Sequence, residues 1–514
     1  MQDRKYPFGL SAFTLVILIG AVIKFALHLY VAPGYGFFGD ELYTIALSKH
    51  LAFGYVDLPP LVPALMAFSR VLLGESLFAY HIVPALAGSV TLVFVCLIAK
   101  EFGGKTFAVA LSALSFIVTP VWLGANSIFC YDSIDQMVLA GFLYVLVRFL
   151  RTGNRRLWLL LGFIAGVACN TKMTLLFLGP GFLIALLVSK YRKDLLTPFP
   201  WLGAAICLVM VTPYLLWQSA NNWPTLEYWT HYGAARVYQA SLPQYLINIL
   251  AYMNPFLLPF WIMGLYRIFR RMDGVNYGFL GLMFSVTLAL MFMLHASVRM
   301  LAELFLPLLA AGAVFLEEWF SNMRRGKWMK AAAAAYLVFV GIYIIPVCLP
   351  FLAPTQLKVY TQNFMPNPLI VKEFNGMNFS ISPVLAGRLG WEELTKDVAV
   401  VYEELPAQDR AVAGIYADGY MPAGAIDQLG PQYDLPHAVS GHLNYYLWGP
   451  GYSWEVMILI TSRTNNMAVF FDECALKTVS QRGDNALGGD LYIFVCRTPK
   501  VPPDVIWSSM ASYR

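Results

Sequence analysis

Gly39-Asp40-Glu41-Leu42-Tyr43, followed by Gly54-Tyr55-Val56-Asp57-Leu58-Pro59-Pro60, falls directly after the first hydrophobic segment of the chain, residues 10–31. Acidic side chains are costly near a bilayer, so three carboxylates at one membrane face need a reason. A solvated acidic loop is the plain reading. A paired Asp-Glu behind a first span, with a Pro-Pro turn soon after, fits a catalytic one better. What surrounds this stretch fixes the fold class. The chain is 59% hydrophobic and 13% charged, with a mean hydropathy of +0.61, which excludes an ordinary soluble globular protein. The net charge of +5 is small for 514 residues. Lys and Arg cluster between apolar runs, as in membrane loops and not as on a nucleic-acid surface.

Apolar stretches of near-spanning length recur at about 10–31, 80–99, 106–123, 136–150, 157–170, 173–189, 200–217, 245–266, 276–296, 301–320 and 331–350. Several fall short of the roughly 20 residues that a perpendicular helix needs. The first follows Arg4 and Lys5 without a small-residue cleavage site and reads as a retained anchor. Connecting segments then alternate in charge. Lys100 and Lys105 form one basic group, followed by Arg148, Arg151, Arg155 and Arg156, then Lys190, Arg192 and Lys193. Arg267, Arg270 and Arg271 come next, and Arg324, Arg325, Lys327 and Lys330 last. The segments between these groups are nearly free of basic residues. The positive-inside rule makes the basic set cytoplasmic, which leaves the C-terminal tail outside.

The predicted fold is a polytopic α-helical membrane protein of about eleven transmembrane helices, with a C-terminal periplasmic α/β domain. Residues 1–350 form the membrane part. Within it, the first outer loop, 32–79, holds two helical pieces expected on the membrane surface, Leu42 to Ala52 and Leu61 to Leu73. Residues 351–514 carry strand-like runs at 398–401, 456–460 and 491–495. Of seven cysteines, only Cys474 and Cys496 lie in this polar tail, where one disulfide is permitted.

The second outer loop contains Tyr131-Asp132-Ser133, two acids and no basic residue. Asp132 and Ser133 suit a helix N-cap and equally a substrate contact. Lys172, Arg236 and Arg299 break the outer-face charge pattern. Each suits snorkelling to lipid head groups. Together they suit the binding of a phosphate-bearing substrate by charge-assisted hydrogen bonds. Lys172 is the strongest candidate because its loop is too short to let it roam. In the tail, His442 and Tyr445 lie in Ser440-Gly441-His442-Leu443-Asn444-Tyr445-Tyr446-Leu447-Trp448, an aromatic run of the kind that packs on sugars and also fills ordinary domain cores.

With these residues in view, the chain resembles the membrane glycosyltransferases of the protein O-mannosyltransferase superfamily, which have the GT-C fold and use polyprenyl-phosphate sugars. The resemblance runs over roughly 35–265. It rests on Asp40-Glu41, the stretch 54–60, Tyr131-Asp132-Ser133, Asn170-Thr171-Lys172, Leu216-Trp217-Gln218 and Asn222-Trp223-Pro224. It implies that Asp40 is the catalytic base on the outer face. It also implies that Asp57 stands where related lipid A aminoarabinose transferases have an acid that can bind a metal, so a divalent metal is a candidate ligand there. Two departures stand out. Leu58 replaces a basic residue before the Pro-Pro, and 298–303 reads Val-Arg-Met-Leu-Ala-Glu where many relatives have a Lys-Gly-Tyr-Tyr-like stretch.

The residue chemistry agrees with this. Glycosyl transfer from a lipid phosphate needs a carboxylate base for the acceptor hydroxyl and cations for the leaving phosphate. No Gly-rich βα unit for a nucleotide sugar is visible. The expected activity is inverting transfer of a hexose or pentose from a polyprenyl (undecaprenyl) phosphate carrier to a lipid, glycan or protein acceptor, at the periplasmic face of the bacterial inner membrane. Catalytic candidates are Asp40, Glu41 and Asp132; donor-phosphate candidates are Lys172, Arg236 and Arg299. Tyr55, Asp57, Tyr131, His442 and Tyr445 are substrate candidates. A transporter or flippase of lipid-linked sugars is the alternative; it predicts broken spans and ionisable groups at mid-bilayer. A non-catalytic scaffold is a third reading and predicts no dependence on Asp40.

Overall fold

The computed structural model describes residues 11–235, 241–365, 381–462, 468–483 and 489–512. Arg4, Lys5 and Arg236 lie outside them. The chain forms two compact units, one of Met1–Ala32, Phe78–Leu215 and Tyr238–Asn378, the other of Pro33–Leu77, Leu216–Val237 and Phe379–Arg514.

Each apolar segment read from the sequence is helical. Among the described residues, six helices are long and apolar enough to cross a membrane: Ala12–Val31, Leu77–Glu101, Tyr131–Thr152, Pro198–Ala220, Val298–Ser321 and Gly326–Cys348. Two bent pairs bring the number to eight. Thr174–Val188 turns into Lys190–Leu196 at 96°, and Leu242–Met253 into Pro255–Ile268 at 88°. Thr106–Ile117, Leu157–Thr171 and Gly278–Met293 are shorter apolar helices. By length the count is thus six to eight, below the expected eleven.

Two expected spans are broken, and prolines account for both breaks. Pro120 disfavours helical backbone before it, and 106–123 becomes Thr106–Ile117 and Pro120–Ala125. In 245–266 the break falls at Asn254, with φ +67°, directly before Pro255. Asn254 is fully buried. Its Oδ1 accepts from Phe256 N at 3.0 Å, and its Nδ2 donates to Val118 O at 2.8 Å. One amide therefore satisfies backbone groups freed at both breaks.

The first unit buries one large apolar core. Leu258–Ile268 crosses Phe305–Ser321 at Gly264 and Gly312, where any Cβ would strike the carbonyl of Leu308 or Phe260. Small residues at such crossings let membrane helices approach closely. The basic loops tie together within this unit. Arg151 pairs with Glu101 at 3.2 Å and Asp273 at 3.1 Å, Arg155 with Asp194 at 2.9 Å, and Arg267 with Glu318 at 2.9 Å. Glu317 accepts from the backbone of Lys105 and Phe107.

The second unit contains a five-stranded mixed sheet. Its strands are β1 (Ala413–Ala417), β2 (Ala438–Val439), β3 (Val456–Thr461), β4 (Phe471–Ser480) and β5 (Leu491–Pro499), in the order β2-β1-β3-β5-β4. β1 runs parallel to β2 and β3, while β5 is antiparallel to β3 and β4. Cys474 and Cys496 face each other across β4 and β5 and form a disulfide. The expected strands at 456–460 and 491–495 are present. The one at 398–401 is not, because these residues lie in the helix Trp391–Glu403. There Leu394, Val398 and Val401 recur at helical spacing and are buried, and Glu392 and Glu393 favour a helix start. Of the two helical pieces in 32–79, Gly39–Lys49 is buried along nearly its whole length. Leu61–Leu73 is amphipathic and exposes Phe68, Val71 and Leu72.

Candidate active site

In the second unit, Asp40 opens the Gly39–Lys49 helix, where an anion is favoured by the free backbone N–H groups. It is partly exposed, and its Oδ1 accepts from Tyr420 Oη at 2.9 Å. The Tyr420 ring lies 5.0 Å from that of His442 and 4.8 Å from that of Tyr43. Glu41 points the other way. It is 1% exposed and accepts from Phe38 N at 3.0 Å, which closes the start of the helix.

Asp57 sits in a loop whose backbone is held from two sides. Gln218 Nε2 donates to Tyr55 O at 3.1 Å, Thr225 Oγ1 to Val56 O at 2.8 Å, and Val56 N to Asn444 Oδ1 at 2.7 Å. The Gln218 and Asn222-Trp223-Pro224 motifs thus act on the acidic loop. Asn222 and Trp223 take positive φ in the turn that brings Thr225 to Gln218. Tyr43 Oη donates to Asp57 Oδ1 at 2.9 Å. Burial pushes the Asp57 carboxyl up to about 7; the charge of Asp40 acts in the same direction, against the Tyr43 hydrogen bond. Among the described residues, no group of three or more His, Cys, Asp or Glu could hold a metal ion. The donors around Asp57 therefore do not make a three-ligand protein site of the zinc kind.

Tyr55 and Tyr445 are buried. The Tyr55 hydroxyl lies 3.3 Å from His50 O and 3.1 Å from Ala52 N, while Tyr445 Oη donates to Asp427 Oδ2 at 2.6 Å. Both hydroxyls serve the frame of the unit.

In the first unit, Lys172 Nζ lies 2.6 Å from Asp132 Oδ1, and Arg299 Nη1 3.6 Å from Asp132 Oδ2. Lys172 Nζ also lies 4.9 Å from the centre of the Tyr131 ring. Asp132 does not cap the Tyr131–Thr152 helix: position 130 is its N-cap, and Ser133 Oγ donates back to Cys130 O. Below this pair, buried Asp135 accepts from Thr171 Oγ1 at 3.2 Å. Glu303 is also buried, 7% exposed. Lys172 is therefore paired with an acid instead of reaching outward.

Sequence reading gave Tyr43 and Tyr420 no bond to the two acids, which the structure shows, and it passed over Lys24 and His28. Lys24 is fully buried within Ala12–Val31 and donates to Trp122 O at 3.1 Å. His28, one turn on, lies 3.2 Å from Leu123 O through Nε2. Lys24 stands inside an apolar run, so its signal was the one lysine in that helix. It places one ionisable group within an apolar span.

The apolar helices and bent pairs are those of a multi-pass membrane protein, and its fold is that of ArnT, as superposition shows. The chain superposes on the crystal structure of ArnT from Cupriavidus metallidurans bound to undecaprenyl phosphate with a TM-score of 0.56 and 14% identity, covering 94% of this chain and 97% of that one. Against the apo state of the same protein the TM-score is 0.57 at 13% identity, with the same coverage. At these identities the likeness is one of fold. Residues 57–217 match the family model described as dolichyl-phosphate-mannose-protein mannosyltransferase, the superfamily that the sequence resembles. That stretch holds Asp57, Tyr131, Asp132 and Lys172 and excludes Asp40, Arg299 and the tail. No curated protein matches the chain in sequence.

Proposed function

We propose that the protein is an inverting glycosyltransferase that moves a sugar from a polyprenyl phosphate carrier, of the kind bound in the ArnT structure, to a hydroxyl of a lipid, glycan or protein acceptor. The observation that carries this reading is the convergence of Lys172 and Arg299 on one carboxylate, Asp132. Two cations held together by a single acid are ready to take a phosphate. Asp40 accepts the proton of the acceptor hydroxyl as that oxygen attacks the anomeric carbon. The bond from that carbon to the phosphate oxygen breaks, and the electron pair leaves with the phosphate. Lys172 and Arg299 neutralise the charge that develops there. One displacement inverts the anomeric centre and needs no second carboxylate as nucleophile.

Tyr420 orients Asp40, and His442 beside it contacts the acceptor. Asp57 contributes to acceptor positioning through the Tyr43 bond. Glu41, Tyr55 and Tyr445 keep the frame. All eleven apolar segments enter the bilayer, the shorter ones as tilted or broken helices. Residues 351–514 lie in the periplasm of a bacterial inner-membrane protein; the disulfide supports this, since such bonds persist in oxidising compartments.

The bent pair at Asn254 and the buried Lys24 are features that a carrier of lipid-linked sugars would also have. Transfer of labelled sugar from polyprenyl phosphate by purified protein separates the readings. Asp40→Asn should lower turnover by about 10²–10⁴-fold, and Lys172→Ala should mainly raise the KM for the donor. Near-normal turnover in Asp40→Asn removes that acid from the mechanism and favours transport.

A further inference from the structure

Arg482, just past the end of β4, is only 5% exposed. Its guanidinium carbon lies 3.9 Å from the centre of the Trp391 ring. Among the described residues its Nε and Nη2 have no hydrogen-bond partner although they are buried, and neither has Oγ of the fully buried Ser480, two residues earlier. Burial pushes the guanidinium down to about 10. Asp490 Oδ1 accepts from the Arg482 backbone N at 3.3 Å, and among the described residues no carboxylate pairs with the guanidinium. Arg497 on β5 makes the contrast. It turns the same edge to Asp409, with Nε and Nη2 at 2.9 and 2.8 Å from Oδ2. A buried arginine lacking such a partner is poorer for stability than an apolar side chain of similar size. Its retention is explained if something else completes the fork.

We propose that Arg482 and Ser480 form a binding site for a phosphate- or carboxylate-type oxyanion, whose oxygens accept from Arg482 Nε and Nη2 and from Ser480 Oγ. The chemistry fits each part. The planar fork matches two oxygens of one anion, and the face of Trp391 holds that fork flat and supplies an apolar floor. Trp391 also connects the site to the acidic helix. Its Nε1 donates to Gly387 O at 2.9 Å, the same carbonyl that accepts from Gly39 N at 3.3 Å. A Cβ at Gly39 would lie 3.1 Å from the indole. The anion site is therefore one ring away from the residue preceding Asp40. A free phosphate and the head group of a phosphate-bearing lipid offer it the same chemistry.

The test uses the full chain in uncharged detergent, in a Lys172→Ala background so that the other cation pair does not contribute. The midpoint of thermal unfolding is followed as sodium phosphate replaces sodium chloride at constant ionic strength. It is followed again with undecaprenyl phosphate as the probe. A saturable rise in midpoint is expected with at least one probe. Arg482→Met should weaken that binding at least about tenfold and should fold, because it replaces an unpaired buried charge. Ser480→Ala and Arg482→Lys should weaken it less. A rise with the lipid alone assigns the site to a head group, and a rise with both to the phosphate itself. No rise with either probe, or an equal rise in Arg482→Met, overturns the proposal. The readout is binding alone, so its failure is distinct from a failure of Asp40 catalysis.

Discussion

Tyr420 donates to Asp40 across 380 residues of sequence, and Tyr43 to Asp57 across 14. Both acids were legible in the sequence, because carboxylates beside an apolar span demand an account. Their tyrosines were not, because a tyrosine among aromatics carries no mark of its partner. The environment they build has a measurable consequence at Asp57. Its carboxyl holds a proton up to about pH 7 in the folded protein, whereas an unfolded chain releases it near pH 4. Between those values the folded state binds more protons, so this group's contribution to stability falls as pH rises. The fall is about 1.4 kcal/mol per pH unit while the two states differ fully. Asp57→Asn removes the group. The unfolding midpoint of wild type relative to the variant should therefore decline from pH 4 to 7 and level off above. A difference that is flat, or that rises with pH, would show that Asp57 is charged in the fold.

At the scale of elements, the bond from Tyr420 to Asp40 depends on how closely two helices pack. A Cβ placed on Gly424 would lie 2.9 Å from the carbonyl carbon of Leu42 and 3.0 Å from its oxygen. Gly39–Lys49 and Tyr420–Leu429 thus meet backbone to backbone, and a carbonyl in a helix cannot step aside. Gly424→Ala should force the helices apart and destabilise the protein by about 1–3 kcal/mol. It should also lower transfer turnover although residue 424 lies outside the proposed chemistry. Thermal unfolding and kcat measured on one preparation check both, and an unchanged midpoint with unchanged kcat contradicts the packing argument. The same scale marks how far sequence reading reaches. Apolar length announced each helix, since only helices and closed barrels satisfy backbone polar groups in lipid. It did not announce the breaks at Asn254 and Pro120, which depend on one amide serving two chain segments. Nor did β-branched residues at 398–401 make a strand, because burial along one helical stripe outweighs local preference.

Over the whole molecule, two independent signs bear on sidedness. The basic segments expected on one face are joined within the first unit through Arg151, Arg155 and Arg267 to acids at neighbouring helix ends and connections. The second sign is chemical. Cys474 and Cys496 are paired across adjacent strands, whereas Cys96, Cys130, Cys169, Cys207 and Cys348 form no disulfide. A cytoplasmic tail would keep its pair reduced, and a periplasmic one would oxidise it. Protein extracted into denaturant with a thiol-blocking reagent should therefore leave these two cysteines unlabelled. A reductant followed by a second, heavier reagent should then add two labels, located at 474 and 496 by mass spectrometry. In cells lacking periplasmic thiol oxidation, the first reagent should take both. Complete labelling of 474 and 496 in the first step in ordinary cells would place the sheet on the reducing side. It would also reverse the assignment of Lys172 and Asp132 to the outer face, because both follow from the same alternation of charge.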